Sequence, residues 1–209
     1  MVQKSRTRGR PRSFDPDQVL TSVRDTFWKR GYAGTTMDQL VAATGLHKPS
    51  LYGAFGDKRR LYVETLDRYL AEARELIGAA LSRPTLAESL DELADRSIEI
   101  FTRDGGYGCF MMTTAVPEAG GDEKITAMVR AAMDGLDEAL KRRFRYAIGM
   151  GELAESADPE ALAMIVSAHH YDLSARARAG YSVDELRSLA DRTHEVVWKL
   201  GRPAEPQTA

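Results

Sequence analysis

Apolar residues recur along this chain at three- and four-residue spacing, the signature of helix faces, and nowhere alternate as in a half-buried strand. Asp15-Pro16 opens the first helix with an N-cap acceptor followed by proline, and Val19, Leu20, Val23 and Phe27 form its inner stripe before Gly31 stops it. Thr36 to Gln39 reads as a capping box that starts a short helix bearing Leu40 and Val41, closed by Ala43-Thr44-Gly45. A third short helix is predicted over His47–Ala54, burying Leu51, with Phe55 one turn on. Gly56-Asp57 then caps a long fourth helix reaching about Ala80 through Leu61, Leu66, Leu70, Leu76 and Ile77.

Past Arg83-Pro84, Thr85 caps a helix running through Leu86, Leu90, Leu93, Ile98 and Phe101 to Gly105-Gly106. Cys109–Val116 reads as a short buried helix broken by Pro117 and Gly120-Gly121. Asp122 starts a long helix from Ile125 to Ile148. Asp158-Pro159 repeats the opening device of the first helix, and that element ends at Gly180. Ser182 to Glu185 is another capping box, followed by Leu186, Leu189, Val196, Val197 and Leu200. The expected fold is all-α, with about nine helices.

Composition narrows the class. The chain has 209 residues, 43% apolar and 29% charged, which is ordinary for a globular protein. Its longest uncharged run, Gly105–Pro117, is short of the roughly 18 residues a membrane helix needs. The basic start is followed by no apolar run, so a secretory signal is not expected. The single cysteine, Cys109, excludes an internal disulfide framework and a multi-cysteine zinc site. A cytoplasmic, reduced location and no membrane contact are the expectation.

The net charge of −2 conceals a division: residues 1–66 carry twelve Lys/Arg against six Asp/Glu, and the remainder is acidic. A basic end joined to an acidic body points to nucleic-acid binding at that end. Within residues 1–12, Lys4, Arg6, Arg8, Arg10 and Arg12 alternate with small or polar residues and no acid. This reads as a disordered basic arm suited to phosphates or a narrow minor groove.

The two short helices joined across Gly45 describe a helix-turn-helix. Gly45 allows the tight turn, and Leu40, Val41, Leu46, Leu51 and Phe55 supply an inner face. Lys48, Ser50 and Tyr52 are then carried at the N-terminal end of the second helix, where donors can enter the major groove.

With that spacing in place, Phe27…Gly31-Tyr32-x-Gly34-Thr35-Thr36…Leu40…Ala43-x-Gly45…Ser50-Leu51-Tyr52-x-x-Phe55-x-Asp57-Lys58…Leu61 resembles the DNA-binding domain of the TetR/AcrR family of transcriptional regulators. The resemblance implies a three-helix DNA-binding domain, 13–57, and a helical ligand-binding and dimerisation domain, 58–202, with a tail at 203–209. It implies that Thr36 and Lys58 meet phosphates and that Lys48, Ser50 and Tyr52 contact DNA. His47 and the arm would add to base reading. Pro49 stands where smaller residues or threonine are commoner; it fits a first helical turn but removes a backbone donor. The expected DNA-contacting set is therefore Arg8, Arg10, Arg12, Thr36, His47, Lys48, Pro49, Ser50, Tyr52 and Lys58.

The second domain carries weaker motifs. Tyr107-Gly108-Cys109-Phe110-Met111-Met112 resembles the Gly-Cys-rich start of the sixth helix in some family members, and methionines are frequent after it. Deformable thioethers suit a cavity for apolar ligands. Cys109, Met112, Met128 and His169 are the candidate ligand or sensor residues. His169 and His170 lie on adjacent helix faces, so a shared metal site is not expected. An enzyme pairing Cys109 with either histidine lacks an orienting acid or oxyanion device, so neither catalysis nor a cofactor is expected. The reading is a repressor released from a palindromic operator by a small molecule or by thiol modification. Its last two helices would form the homodimer. The alternative is an architectural or activating DNA-binding protein without an effector.

Overall fold

A computed structural model describes residues 14–202; the basic arm with Arg8, Arg10 and Arg12, and the tail, lie outside the described residues. Nine α-helices occur among the described residues: α1 Pro16–Arg30, α2 Met37–Thr44, α3 Lys48–Phe55, α4 Lys58–Ala80, α5 Leu86–Gly106, α6 Val116–Ala119, α7 Glu123–Gly149, α8 Pro159–Arg178 and α9 Val183–Gly201. A π-helical turn, Met111–Ala115, leads directly into α6.

The starts follow local chemistry. Asp15, Asp57, Asp122 and Asp158 each accept backbone N–H bonds in the first turn of the helix they precede. Thr36, Thr85 and Ser182 form complete capping boxes with the residue three positions on. Such caps are worth about 1 kcal/mol each, enough to set where a helix begins.

Two predicted boundaries differ. The sequence predicts that Pro117 breaks the segment after Cys109, yet Pro117 sits in the first turn of α6, where its missing N–H goes unused. The wider π turn before it resembles the single-turn insertions that mark strained or functional helices. Regular α5 geometry ends before Arg103: Arg103 is extended, and Asp104 and Gly105 take φ of 54° and 113°.

The core has two parts. One begins in the three-helix domain at Phe27, Leu40, Leu51 and Phe55, crosses α4 at Leu61, Tyr62 and Leu66, and continues to Phe110 and Ile125. The hydrophobic interior therefore does not stop at the domain boundary. The other lies in the distal half, where Leu86 and Leu90 of α5 meet Leu140 and Phe144 of α7, Leu162 of α8 and Val197 of α9.

Arg143 is buried beside this second core. Its Nε donates to Ser89 Oγ at 2.9 Å, and its terminal nitrogens reach Glu152 Oε1 at 3.2 and 3.3 Å. The other Glu152 oxygen accepts the Leu86 N–H at the start of α5. Removing one member of such a pair strands the other in a poorly solvated site. Arg143→Ala should cost about 3 kcal/mol in a urea titration; an unchanged midpoint would show that the network contributes nothing to stability.

Candidate nucleic-acid interface and internal cavity

The α2–α3 corner is built as its turn chemistry requires. Thr36 Oγ1 accepts the Gln39 N–H at 3.3 Å, and Gln39 Oε1 accepts the Thr36 N–H at 2.9 Å. Gly45, at φ 68° and ψ 4°, takes the left-handed conformation and donates to Val41 O at 3.0 Å. Leu40 and Leu51 are fully buried, which holds α3 against α2.

With Leu51 and Phe55 inward, the opposite side of α3 is open. His47, Lys48, Pro49, Ser50 and Tyr52 are all exposed, as is Thr36 at the start of α2. His47 occupies the N-cap position without a side-chain cap bond, so the predicted start is displaced by one residue. Lys48 Nζ lies 2.8 Å from Asp38 Oδ1, an ion pair that also strengthens its hold on the proton. Lys58 Nζ sits 4.3 Å from the centre of the Tyr32 ring, which places the first cation of α4 on an aromatic face. Neither partner, Asp38 or Tyr32, was singled out as a site residue, because nothing in the spacing shows which side chains cross from one helix to the next.

Polar contacts tie this domain to the body. Arg59, beside Lys58, forms a two-pronged pair with Asp122, the N-cap of α7. That bond, with the backbone N–H groups of Ile125 and Lys124, lowers the Asp122 carboxyl to about 2. Tyr62 Oη and Thr114 Oγ1 are 2.9 Å apart, and Trp28 Nε1 donates to Gly108 O at 3.0 Å. Gly108, at φ 70°, could not carry a side chain: a Cβ there would meet Ser174 O at 2.6 Å.

Behind this seam is a cavity of about 70 Å³. Leu70 and Ile77 of α4, Phe101 of α5, Met111 and Leu136 give it apolar walls; Ser97, Cys109, His170 and Tyr171 contribute polar atoms. Cys109 Sγ lies 3.4 Å from Tyr69 Oη, and its N–H donates to Ser174 Oγ at 2.8 Å. Burial pushes the thiol pKa up, leaving it protonated near neutrality. His170 Nδ1 lies 3.2 Å from Ser97 Oγ, and burial aided by His169 lowers the imidazole to about 4.

Of the four candidate sensor residues, Cys109 lines this cavity and Met112, Met128 and His169 do not. The methionines pack against the first core as partly buried filler. His169 Nδ1 is 4.0 Å from Asp172, and its Nε2 is buried without a partner. Met111 is one of the methionines expected to suit a cavity, whereas Tyr69 carries no lining signal in the sequence, since a one-position change of helix phase decides between cavity and core. Among the described residues no group of His, Cys, Asp or Glu is arranged to hold a metal.

Residues 20–65 match the family described as "Bacterial regulatory proteins, tetR family", and residues 87–191 match "Tetracyclin repressor-like, C-terminal domain". The chain belongs to the TetR family. It is 32% identical over 198 residues to the HTH-type transcriptional repressor ComR of Escherichia coli, covering 92% of each chain. The repressor BdcR of the same organism is 24% identical, with 93% of this chain and 95% of BdcR covered. Among solved structures, a cysteine mutant of the TetR-family regulator CifR complexed with 26-base-pair operator DNA superposes with a TM-score of 0.79 at 31% identity. That match covers 89% of this chain and 98% of the other.

Membership makes this chain a DNA-binding transcriptional regulator of a family that is not one of enzymes. No helix among the described residues is long and apolar enough to cross a membrane.

The cavity histidine sets a pH response. In the folded TetR-family chain His170 resists protonation until about pH 4, whereas an unfolded histidine takes a proton near 6.5. The unfolded state thus binds more protons between these values, and stability falls as pH drops through that window. His170→Gln should flatten the decline of the urea midpoint between pH 6.5 and 4; an unaltered slope would place the effect elsewhere.

Proposed function

We propose that this protein is a homodimeric repressor released from a palindromic operator when a small molecule binds against α4 at Tyr69. The observation that carries this reading is the position of the cavity against α4, whose Tyr69, Leu70 and Ala73 form one wall. The same helix begins at Lys58 beside the helix-turn-helix, so a change of packing along its length reaches the DNA-facing end. The effector must bind the released state better than the DNA-bound one, since equal affinity for both shifts nothing.

The DNA assignment is supported by the exposed row Lys48, Pro49, Ser50 and Tyr52 on α3 with its N-cap His47, and by Thr36 and Lys58 at the starts of α2 and α4. Arg8, Arg10 and Arg12 would follow the backbone from the arm. For the dimer, α8 and α9 leave Met164, Val196 and Leu200 exposed at 65%, 44% and 57%, large apolar groups that a second copy would cover. Two-fold symmetry would then place two copies of α3 about 34–36 Å apart, or a multiple of that, on a palindrome.

Thiol modification is the second reading, favoured because Cys109 lines the same cavity. Its buried, protonated thiol would require an electrophile or oxidant small enough to enter.

Selection of bound sequences from a random duplex pool, with and without a metabolite panel, tests the reading; a wild-type and Cys109→Ser comparison under oxidant separates its two forms. A palindrome released by a compound is the expected result. Lack of any enriched sequence at moderate salt would replace it with an architectural role. On the selected operator, Tyr52→Phe should weaken binding by about three- to tenfold through loss of one hydrogen bond. Lys58→Ala should reduce the salt slope by about 0.9, the value of one phosphate contact. Unchanged affinity or slope would remove the residue from the interface.

A further inference from the structure

The cavity behind Tyr69 is too small to hold an effector by itself. At about 70 Å³ it has less than half the volume of the engineered cavity of about 150 Å³ that accepts benzene. A second cleft of about 320 Å³ adjoins it, within the range of roughly 300–1,000 Å³ of small-molecule sites. The two share Tyr69, Ala73, Leu76 and Ile100, so a single layer of side chains separates them. The cleft is walled on its other side by α1, through Arg24, Asp25, Trp28 and Lys29.

Their linings differ in kind. Leu70, Ile77, Phe101 and Leu136 make the inner chamber apolar. The outer cleft has aromatic surface from Trp28, Tyr69 and Tyr107, and its charges balance: Arg24, Lys29 and Arg103 against Asp25, Glu72 and Asp104. A wall of balanced charge offers hydrogen bonds to a polar group without a net field to hold an ion.

Asp104 forms one rim of the cleft at φ 54°, the only non-glycine residue with positive φ among the described residues. Gly105, Gly106 and Gly108 follow with positive φ, giving a segment of unusual backbone between the cleft and Cys109. Gly108 O in turn holds the indole N–H of Trp28. One short segment thus borders the cleft, the inner chamber and the DNA-binding domain together.

We propose that the effector is an amphipath without net charge seated across both chambers, its apolar body behind Tyr69 and its polar head in the outer cleft against Trp28 of α1. The proposal rests on the effector reading above and adds to it that the ligand touches the DNA-binding domain directly. Coupling then needs no long relay: the contacts a ligand makes with α1 themselves depend on where α1 sits.

The chain has two tryptophans, Trp28 and Trp198, so Trp198→Phe leaves Trp28 as the sole reporter. That variant is titrated with octan-1-ol, octanoate and octylammonium below their aggregation concentrations, following Trp28 emission and release of the selected operator. Octan-1-ol is expected to change Trp28 emission with the midpoint at which it releases DNA, and to bind at least tenfold more tightly than either ion. Ala73→Leu, which adds bulk to the wall the two chambers share, should weaken both responses at least tenfold. Should that variant fail to fold by circular dichroism, the Trp28 titration decides alone.

Release of DNA by octan-1-ol with Trp28 emission unchanged overturns the composite site and leaves the effector reading standing. A Trp28 response without release supports the site and overturns the effector reading. Tighter binding of either ion overturns the uncharged class, and no response to any of the three overturns the amphipath proposal.

Discussion

The packing of Phe110 is the constraint on which the joining of the two halves depends. Its ring is fully buried, with centroids 5.6 Å from Trp28 of α1, and 6.0 and 5.3 Å from Tyr62 and Tyr69 of α4. Aromatic pairs at these separations are worth about 0.5–1.5 kcal/mol beyond the area they bury. Their tilted and edge-on geometries also restrict how the helices can be placed. Around the ring lie the bonds that fix it: Trp28 to Gly108, Tyr62 to Thr114, and Cys109 to Ser174. A body held this closely to the DNA-binding helices cannot rearrange there without disturbing them.

That geometry makes α4 and the residues around Phe110 the joint between the DNA-binding helices and the body of this TetR-family chain. At one end of α4, Lys58 rests on Tyr32 and Arg59 is paired with Asp122; further along, Tyr69 closes the cavity. The polar pairs are partly exposed and contribute little stability individually, while the aromatic contacts are buried and dense. The rings therefore contribute more to stability than these pairs, and the Arg59–Asp122 pair ties α4 to the start of α7. Close-packed interiors of this kind accommodate a ligand by switching between discrete packings rather than by continuous deformation.

Much of this architecture was legible in the residues. Capping boxes at Thr36, Thr85 and Ser182, and the aspartates before α1, α4, α7 and α8, mark starts through bonds that span only two or three residues. Stripes such as Val19, Leu20, Val23 and Phe27 identify inner faces for the same reason: helix period is a local property. The exposed row on α3 followed once Leu51 and Phe55 were assigned inward. The sequence predicts a break at Pro117, but proline also fits the first turn of a helix, and the π turn before it has no local signature.

What the sequence determined by itself was the order of helices, their caps, the face that α3 leaves open, and the Gly45 turn. Each is set by neighbours a few positions apart. Only the tertiary structure decided that Cys109 is buried beside Tyr69, that Met112 and Met128 serve the core while Met111 faces the cavity, and that Lys48 and Lys58 have the partners Asp38 and Tyr32. It alone decided that α1 forms one wall of a cleft that shares Tyr69, Ala73, Leu76 and Ile100 with that cavity. These depend on the phase and crossing of helices distant in the chain, which many compatible side-chain packings could satisfy until the whole core is closed.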